Sequence, residues 1–250
     1  MGATPALPPA YRLLHFETLA STNDEARRLA ADGAADGTVV WADMQTAGRG
    51  RRGRHWVSPP GNLYFSLLLR PGVSAGLAAQ LSLVAAVALG DALAAVLPPS
   101  RAVRFKWPND VLVDGAKTAG ILLESSGSAD GSVAWLVLGC GVNIADAPRL
   151  ADYPATGLHA AGAEGVSAGG LLGYVVEAFD GWRRRWQNGG IAPVREAWLA
   201  RAQGLGEQIR VRLPDGEIHG CFAGMDGEGA LLLETGPGVR RTVTAGDVFF

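Results

Sequence analysis

The residues best suited to chemistry lie in one short stretch, residues 45–56, with the sequence QTAGRGRRGRHW. Three glycines, four arginines and a tryptophan share these twelve positions. Glycine lets a backbone approach a ligand closely and exposes its N–H groups, while the arginine guanidinium matches carboxylate and phosphate oxygens. The stretch therefore predicts an anion-binding loop that acts as a mobile cover.

Two other interpretations of this basic loop remain open from composition, a solvated surface and a nucleic-acid-binding patch. The P-loop pattern G-x-x-x-x-G-K-[ST] of many nucleotide-binding proteins is absent. The formal net charge of the chain is −2, with 22 basic and 24 acidic residues, so the chain outside the loop is more acidic still. Local basic charge on an acidic protein favours a focused site over general nucleic-acid binding.

The two lysines of the chain form a second signal. Twenty of the 22 basic residues are arginine, and the exceptions are Lys106 and Lys117. A lysine ammonium is a compact point charge, whereas the guanidinium is a wide planar fork. In a chain that otherwise uses arginine, these two positions are candidates for chemistry that a guanidinium cannot perform.

Two further groups of residues have both a structural and a functional interpretation. Residues 21–23 (Ser-Thr-Asn) open a predicted helix, in which Thr22 and Glu25 have the spacing of a capping box. They either cap the helix or present hydroxyl and amide groups to a small polar ring. Gly139 and Gly141 interrupt a predicted strand, which indicates a β-bulge or the close approach of a bound group.

Length and composition indicate a soluble globular protein. The 250 residues are 48% hydrophobic and 18% charged, enough for one sizeable domain and a small one. We expect no apolar run long enough to span a bilayer, and residues 1–11 lack the features of a secretory signal. Because Cys140 and Cys221 are the only cysteines, we expect neither a disulfide framework nor a zinc site, and a cytoplasmic location.

The apolar patterning predicts the elements that position these groups. Strands are predicted at residues 12–19, 38–43, 62–70, 103–107, 110–114, 118–125 and 132–144. Helices are predicted from residue 21 to a stop at Gly33, and at residues 75–97, 171–187 and 192–202. The strand 62–70 is mostly apolar and therefore central, and Asp114-Gly115 marks a hairpin turn.

Other segments are predicted to be loop, core or surface. Residues 145–170 are assigned to a loop with a short helix. Three tryptophans with helical spacing, Trp182, Trp186 and Trp198, are assigned to the core, and the three arginines at 183–185 to a solvated face.

The texture of the sequence changes at Gly204. Short alternating strands follow, separated by glycine turns, at residues 208–213, 218–223, 230–234 and 240–250. Strands of this spacing predict a small all-β barrel or sandwich. We place a domain boundary near residue 203, which gives a catalytic domain at 1–203 and a C-terminal domain at 204–250.

Five motifs in this order together resemble the biotin protein ligases. They are residues 21–23 (STN), 48–56 (GRGRRGRHW), 106–110 (KWPND), 117–122 (KTAGIL) and 139–143 (GCGVN). The similarity runs from about residue 12 to the end of the chain. It implies an α+β fold, with a mixed central β-sheet packed by helices in the class II synthetase-like manner, followed by a small SH3-like β-barrel.

The resemblance also implies a two-step reaction. Biotin's carboxylate attacks the α-phosphate of ATP to give biotinyl-5′-adenylate, and a lysine of a biotin carboxyl carrier protein then attacks that anhydride. Magnesium is expected as a complex with ATP, and no metal site made by protein alone is expected. Since both steps need stabilised anions rather than a protein nucleophile, the absence of a Ser-His-Asp or Cys-His pattern is consistent.

The site residues that the resemblance implies fall into three groups. The catalytic residues are Lys117, Arg51 and Asp110, with Lys117 as the central electrostatic catalyst. The biotin-binding residues are Ser21, Thr22, Asn23, Gln45, Gly48, Arg49, Gly50, Arg51, Lys117, Gly120, Gly139 and Gly141. The ATP-binding and adenylate-binding residues are Arg49, Arg51, Arg54, Trp56, Asn109, Lys117 and Asn143.

The chain departs from the family pattern in two places, and two other functions remain open. Larger members carry an N-terminal winged helix-turn-helix, whereas the catalytic pattern here begins almost at once, so we expect no DNA binding. His55 stands where a Lys or Arg is usual. The alternatives are a lipoate or octanoate ligase of the same architecture and a basic nucleic-acid-binding module. No membrane partner is expected, and a homodimer formed through sheet edges is possible.

Overall fold

A computed structural model describes residues 5–129, 131–148 and 153–250. Its centre is a seven-stranded sheet, built from β1 (Arg12–Leu19), β2 (Thr38–Gln45), β3 (Leu63–Leu69), β4 (Val103–Lys106), β5 (Asp110–Val113), β6 (Ala116–Gly127) and β7 (Val133–Val142). The strand order is β1-β2-β3-β7-β6-β5-β4. Only β1 and β2 run parallel and the other neighbours are antiparallel, so the predicted mixed sheet is confirmed.

The apolar strand β3 is central, as its sequence predicts. Every residue of β3 is buried, and the strand lies between β2 and β7. Alternate side chains reach opposite faces of the sheet. On one face Leu67 packs in the main core, and on the other Leu68 packs in a smaller cluster with Val40 and Ala26.

Helices cover both faces of this sheet. They are α1 (Thr22–Ala31), α2 (Ala75–Ala79), α3 (Leu81–Val96), α4 (Ala168–Gly189) and α5 (Ala192–Leu199). Helix α1 supplies the smaller cluster, whereas α3, α4 and α5 contribute to the main core. The sheet is therefore sandwiched, and the first turn of α1 is held against its central strands.

The helix predicted at residues 75–97 is two helices rather than one. The chain turns at Gln80, whose side-chain oxygen accepts a hydrogen bond from the indole of Trp186 at 2.8 Å. Together the two helices span Ala75–Val96, which is long enough and apolar enough to cross a membrane. The expectation that the chain has no such apolar run is therefore wrong as regards length and hydropathy. However, 67% of that apolar window is buried, as expected for a core helix beneath a sheet.

Gly90 allows α3 to lie close to β4. A Cβ at this position would lie 2.5 Å from two ring carbons of Phe105, which is itself fully buried. We expect Gly90→Ala to lower the free energy of unfolding by about 1–3 kcal/mol, the usual effect of overpacking a core. Chemical denaturation measures the change.

Gly76→Ala is the matched control, since Gly76 is an exposed helical glycine with open space around its Cα. It should stabilise the protein by about 0.4–1 kcal/mol through the unfolded state. Equal effects of the two substitutions would contradict the packing argument.

The three tryptophans assigned to the core lie there in full or in part, whereas one of the three arginines assigned to a solvated face does not. Trp186 and Trp198 are buried, and Trp182 is partly buried against the core. Arg183 is not on a solvated face: its side chain is 12% exposed and donates two 2.9 Å hydrogen bonds to Asp36. A run of like charges on a helix cannot reveal that one member meets a carboxylate from a distant turn.

The β5–β6 turn is the predicted hairpin. Asp114 and Gly115 both have positive φ, at 48° and 79°, which is the backbone of a type I′ turn. The predicted loop 145–170 lies partly outside the described residues, at 149–152, and ends where α4 begins.

A second, smaller sheet follows. Its strands are β8 (Gln208–Leu213), β9 (Gly216–Met225), β10 (Leu231–Gly236), β11 (Val239–Val243) and β12 (Asp247–Phe249). All neighbours are antiparallel in the order β11-β10-β9-β8-β12. The all-β prediction is confirmed, and in the described part of the chain no ladder joins β11 to β12 into a closed barrel.

The last predicted strand is wrong in its extent, because 240–250 contains two strands and a turn. The chain leaves β11 after Val243 and returns beside β8 as β12. Gly246 permits the return, since a Cβ there would lie 2.8 Å from Val211. This turn brings Asp247 back toward the larger sheet.

Candidate active site

A cavity of about 330 Å³ lies over the central sheet, between the glycine-arginine loop and the end of β12. Sixteen of the seventeen predicted site residues line it. They are Ser21, Thr22, Asn23, Gln45, Arg49, Gly50, Arg51, Arg54, Trp56, Asn109, Asp110, Lys117, Gly120, Gly139, Gly141 and Asn143. Gly48 is the exception, so residues far apart in sequence converge as predicted.

The glycine-arginine loop folds back on itself. Arg49 and His55 form an antiparallel bridge, and the Gly50 N–H donates to the Arg54 carbonyl at 2.7 Å. At Gly48 a Cβ would lie 2.5 Å from both Ser58 Oγ and the Trp56 carbonyl oxygen. The close approach at Gly48 is thus to the loop itself, and its predicted contact with biotin stays a prediction.

A row of buried polar side chains closes one end of the cavity. Gln45 Oε1 accepts hydrogen bonds from the Thr22 backbone N–H at 2.9 Å and from its hydroxyl at 3.2 Å. Ser66 Oγ lies 2.8 Å from Thr22 Oγ1 and 2.6 Å from Asn23 Oδ1. Asn23 Nδ2 donates to Glu124 Oε2 at 2.7 Å. The network fixes the orientation of each amide.

The capping interpretation of residues 21–23 is therefore wrong. Ser21 occupies the N-cap position of α1, but its side chain makes no capping hydrogen bond. Thr22 bonds Gln45 instead, and Glu25 pairs with Arg28 at 2.6 Å. These side chains line the cavity instead of capping the helix end.

The strand glycines leave room rather than form bulges. Gly139 and Gly141 lie in a regular ladder with β6, which corrects the bulge interpretation. A Cβ at Gly139 would overlap Asn23 Oδ1, and one at Gly141 would lie 2.5 Å from the Trp56 indole nitrogen. A flat floor of glycines thus lets side chains from α1 and the loop lie directly on the sheet.

A bulge does occur one strand away, and it aims Lys117. The register of β5 and β6 shifts so that Val111 faces Ala119 but Leu112 faces Lys117, which leaves Thr118 as the extra residue. In a regular strand, residues 117 and 120 would point to opposite faces. With the bulge, Lys117 Cε lies 3.4 Å from where a Cβ of Gly120 would be, so the ammonium enters the cavity.

Lys117 is largely buried and paired with a carboxylate. Its Nζ lies 2.7 Å from Asp110 Oδ1, and the two side chains are 11% and 13% exposed. The ammonium also lies 5.3 Å from the ring centres of Trp56 and Tyr153. These partners hold a positive charge inside the cavity.

Three arginines of the loop converge on one carboxylate of the C-terminal sheet. Arg51, Arg52 and Arg54 lie 3.6, 3.3 and 2.9 Å from Asp247. Arg51 also donates to Asn109 Oδ1 at 3.2 Å, and burial lowers the pKa of its guanidinium. The loop therefore bridges the two sheets over the cavity mouth.

Two buried polar atoms in the cavity have no described partner. They are Asn143 Oδ1 and the indole nitrogen of Trp56. A buried polar atom without a hydrogen bond costs about 1–3 kcal/mol. A ligand that supplies the missing hydrogen bonds would offset this cost, which indicates a binding site.

The groups that line the cavity are suited to electrostatic chemistry. Burial raises the pKa of the Cys140 thiol, which therefore stays protonated at neutral pH. Among the described residues no three His, Cys, Asp or Glu side chains cluster to hold a metal ion. What the cavity supplies is an ammonium, several guanidinium groups and a row of amides and hydroxyls.

Several residues that line or support the cavity were not predicted from the sequence. Among them are Ser66, Glu124, Tyr153 and Asp247. Ser66 had a usable signal, since it is the one polar side chain within the otherwise apolar strand β3. The other three had no local signal, because their contacts depend on how distant strands meet. Lys106, which the sequence marks as a candidate without a role, also lines the cavity.

Comparison with known proteins agrees with this site. The family model described as the biotin/lipoate A/B protein ligase family matches residues 53–200, and the biotin protein ligase C terminal domain matches residues 204–250. A biotin–[acetyl-CoA-carboxylase] ligase of Paracoccus denitrificans is 47% identical over 235 residues, covering 92% of this chain and 97% of that protein.

Two solved structures share the whole architecture. A biotin protein ligase from Aquifex aeolicus in complex with biotin and ATP has a TM-score of 0.77 and 27% identity, covering 95% of this chain and 97% of that one. One from Leishmania major in complex with biotinyl-5-AMP has a TM-score of 0.65 and 26% identity, covering 95% and 100%. Since both the curated relative and the two family models agree, the chain belongs to the biotin protein ligase family.

Proposed function

We propose that this protein joins biotin to ATP and then passes biotin to one lysine of a biotin carboxyl carrier protein. In the first step a biotin carboxylate oxygen bonds to the α-phosphorus, and the bond to the β-phosphate oxygen breaks to release pyrophosphate. In the second step the carrier amine attacks the anhydride carbonyl, loses a proton, and AMP leaves.

The position of Lys117 carries this proposal. Two anions must meet in the first step, and a buried ammonium beside them offsets their repulsion and stabilises charge on the five-coordinate phosphorus. Lys117 is aimed into the cavity by a bulge and lies across the glycine floor from the polar row. A fixed charge in a shielded site needs little reorganisation as the reaction proceeds.

The polar row suits the ureido ring of biotin. That ring has two N–H donors and one carbonyl acceptor, which Ser21, Thr22, Asn23 and Gln45 can complement. The glycines Gly120, Gly139 and Gly141 line the same cavity, and the apolar side chains that line it beside them suit the bicycle and its tail. Gly50 of the loop also lines this cavity.

The nucleotide is assigned to the loop side. Arg49, Arg51 and Arg54 bind phosphates, with Arg51 over the adenylate, and the partly exposed ring of Trp56 stacks on adenine. The unpartnered Asn143 Oδ1 accepts hydrogen bonds, so it is assigned to a ribose hydroxyl or an amino group rather than to phosphate.

The transfer step is assigned to Asp110 and Asn109. Asp110 orients or deprotonates the incoming lysine amine, and its second carboxylate oxygen is available for this while the first holds Lys117. Magnesium enters as the complex of ATP, held mainly by phosphate oxygens.

The direct test is biotin transfer in solution. The protein is mixed with ATP, magnesium, biotin and a purified carrier domain, and mass spectrometry follows the addition of one biotin at one lysine. Pyrophosphate exchange into ATP is measured in parallel with biotin, lipoate or octanoate as the acid. Exchange driven by lipoate or octanoate but not by biotin would assign the protein to the alternative ligases.

We expect Arg51→Gly to weaken retention of the adenylate more than its formation. Arg51 lines the cavity and donates to Asn109, so its loss removes a charge-assisted contact from beside the intermediate. The release rate of biotinyl-5′-adenylate should rise roughly tenfold. Unrelated proteins in the mixture should then become biotinylated.

Arg52→Gly is the matched control for this substitution. Arg52 does not line the cavity, and its φ of 55° suits glycine. It should release the intermediate at close to the wild-type rate. The same rise in both variants would mean that the loop acts only through its total charge.

The partners and setting follow from the same reaction. A biotin carboxyl carrier protein is the proposed acceptor, and the cytoplasm the proposed location. The division into domains at residue 203, the absence of DNA or membrane partners, and a homodimer formed through sheet edges all stay predictions.

A further inference from the structure

Lys106 is a charged group of the cavity for which the reaction above has no use. It is the last residue of β4, half-buried, and its side chain lines the cavity. Among the described residues no carboxylate lies within ion-pair distance of its ammonium, and no hydrogen bond involves it. A cation removed from water without a partner is destabilising.

Every other Lys or Arg side chain that lines the cavity has a carboxylate partner. Lys117 pairs with Asp110, Arg49 with Asp24, Arg51 and Arg54 with Asp247, and Arg212 with Glu217. Lys106 therefore differs from its neighbours in being free to take an anion without breaking an existing ion pair.

Aromatic rings surround the Lys106 ammonium. Its Nζ lies 4.9, 5.5 and 5.8 Å from the ring centres of Tyr153, Phe249 and Phe250. Cation–π contact of this kind offsets part of the cost of desolvation but leaves the N–H donors without acceptors. Burial is the largest influence on the pKa of Lys106 and lowers it, while the Asp110 and Asp247 carboxylates, which lie beyond ion-pair distance, act in the opposite direction.

The location of the Lys106 ammonium suits the β- and γ-phosphates of a nucleoside triphosphate. Lys106 and Lys117 both lie against the ring of Tyr153, 4.9 and 5.3 Å from its centre. If Lys117 serves the carboxylate and the α-phosphate, as the proposed function requires, the neighbouring ammonium lies where the chain of phosphates continues. We propose that Lys106 binds the β- and γ-phosphates of ATP and stabilises pyrophosphate as it leaves.

The test compares ATP with AMP, which lacks those two phosphates. In Lys106→Met, which keeps the length of the side chain but not the charge, ATP affinity measured by calorimetry should fall about tenfold. Affinity for AMP and for biotin should change less than about threefold. Lys106→Arg restores the charge but not the compact ammonium, so it should recover only part of the ATP affinity.

Arg104→Met is the matched control. Arg104 lies two residues earlier on the same face of β4, is exposed, and does not line the cavity. It removes the same charge and should leave the ATP affinity unchanged. An equal fall for ATP and AMP in Lys106→Met, or no fall for either, would overturn the proposal and assign Lys106 to packing beneath β12.

A second measurement uses the wild-type protein and its unusual composition. Since Lys106 and Lys117 are the only lysines, acetylation by a water-soluble ester can be read at each one by mass spectrometry. Inorganic pyrophosphate should slow acetylation of Lys106, and AMP should not. Absence of protection by pyrophosphate would overturn the proposal. Because this readout needs no biotin transfer, failure of the proposed function would be seen separately.

Discussion

Lys117→Met should lower the rate of biotin-dependent pyrophosphate release by roughly 100- to 1000-fold, the usual effect of losing a preorganised charge from the transition state. Methionine keeps most of the aliphatic stem, so the glycine floor and the aromatic rings beside it stay filled. Biotin binding in the absence of ATP should weaken by a much smaller factor, since the substitution removes one contact to the carboxylate and leaves the polar row untouched. Rapid-quench measurement of a single turnover separates these two effects.

The pairing with Asp110 requires a control, because the substitution leaves that carboxylate buried without its partner. An unpaired buried charge destabilises a protein by several kcal/mol. The double variant Lys117→Met/Asp110→Asn removes both charges and should regain stability against denaturant while staying slow in the first step. Recovery of the rate in the double variant, or a single-variant loss below tenfold, would remove Lys117 from its catalytic role.

Gly139→Ala should weaken biotin binding by roughly 100-fold. The added Cβ overlaps Asn23 Oδ1, so the amide must rotate away from Ser66 and Glu124. Two buried hydrogen bonds are then broken, each worth about 1 kcal/mol or more once a donor or acceptor is left unpaired. Calorimetric titration with biotin measures the loss.

Gly181→Ala controls for the loss of a glycine as such. Gly181 is exposed on α4, and a Cβ there meets no other atom within 4 Å. Biotin affinity should be unchanged in this variant. If Gly139→Ala bound biotin normally, the polar row would not be the site of the ureido ring.

Most strands could be predicted from the sequence because they carry their own signal. The apolar run of β3 indicates burial on both faces of the sheet. Asp114 and Gly115 define the turn between β5 and β6, because they adopt backbone conformations that few other residues adopt. The site residues came from ordered motifs, and the cavity does gather them. Local pattern was sufficient wherever a residue's role depends on its own strand or turn.

The errors share one physical cause, which is that a decisive partner lies far away in sequence. The bulge that turns Lys117 toward the cavity depends on the register of β6 with β5. Thr118, the extra residue of the bulge, has no sequence feature that predicts it. The glycines of β7 look like a strand break until Asn23 and Trp56 are seen lying on them. The sequence places Asp247 in a terminal strand but does not reveal its contact with the loop arginines, which lie nearly two hundred residues earlier.

The convergence of three arginines on Asp247 has a thermodynamic consequence. If the loop arginines bind phosphate as proposed, phosphate groups entering the cavity compete with this carboxylate for the same guanidinium groups, and occupancy of the cavity is then coupled to attachment of β12. Whatever strengthens one must weaken the other by an equal factor. In that case the C-terminal sheet sets the affinity of the cavity for phosphate-bearing ligands, because Asp247 competes with them for the loop arginines.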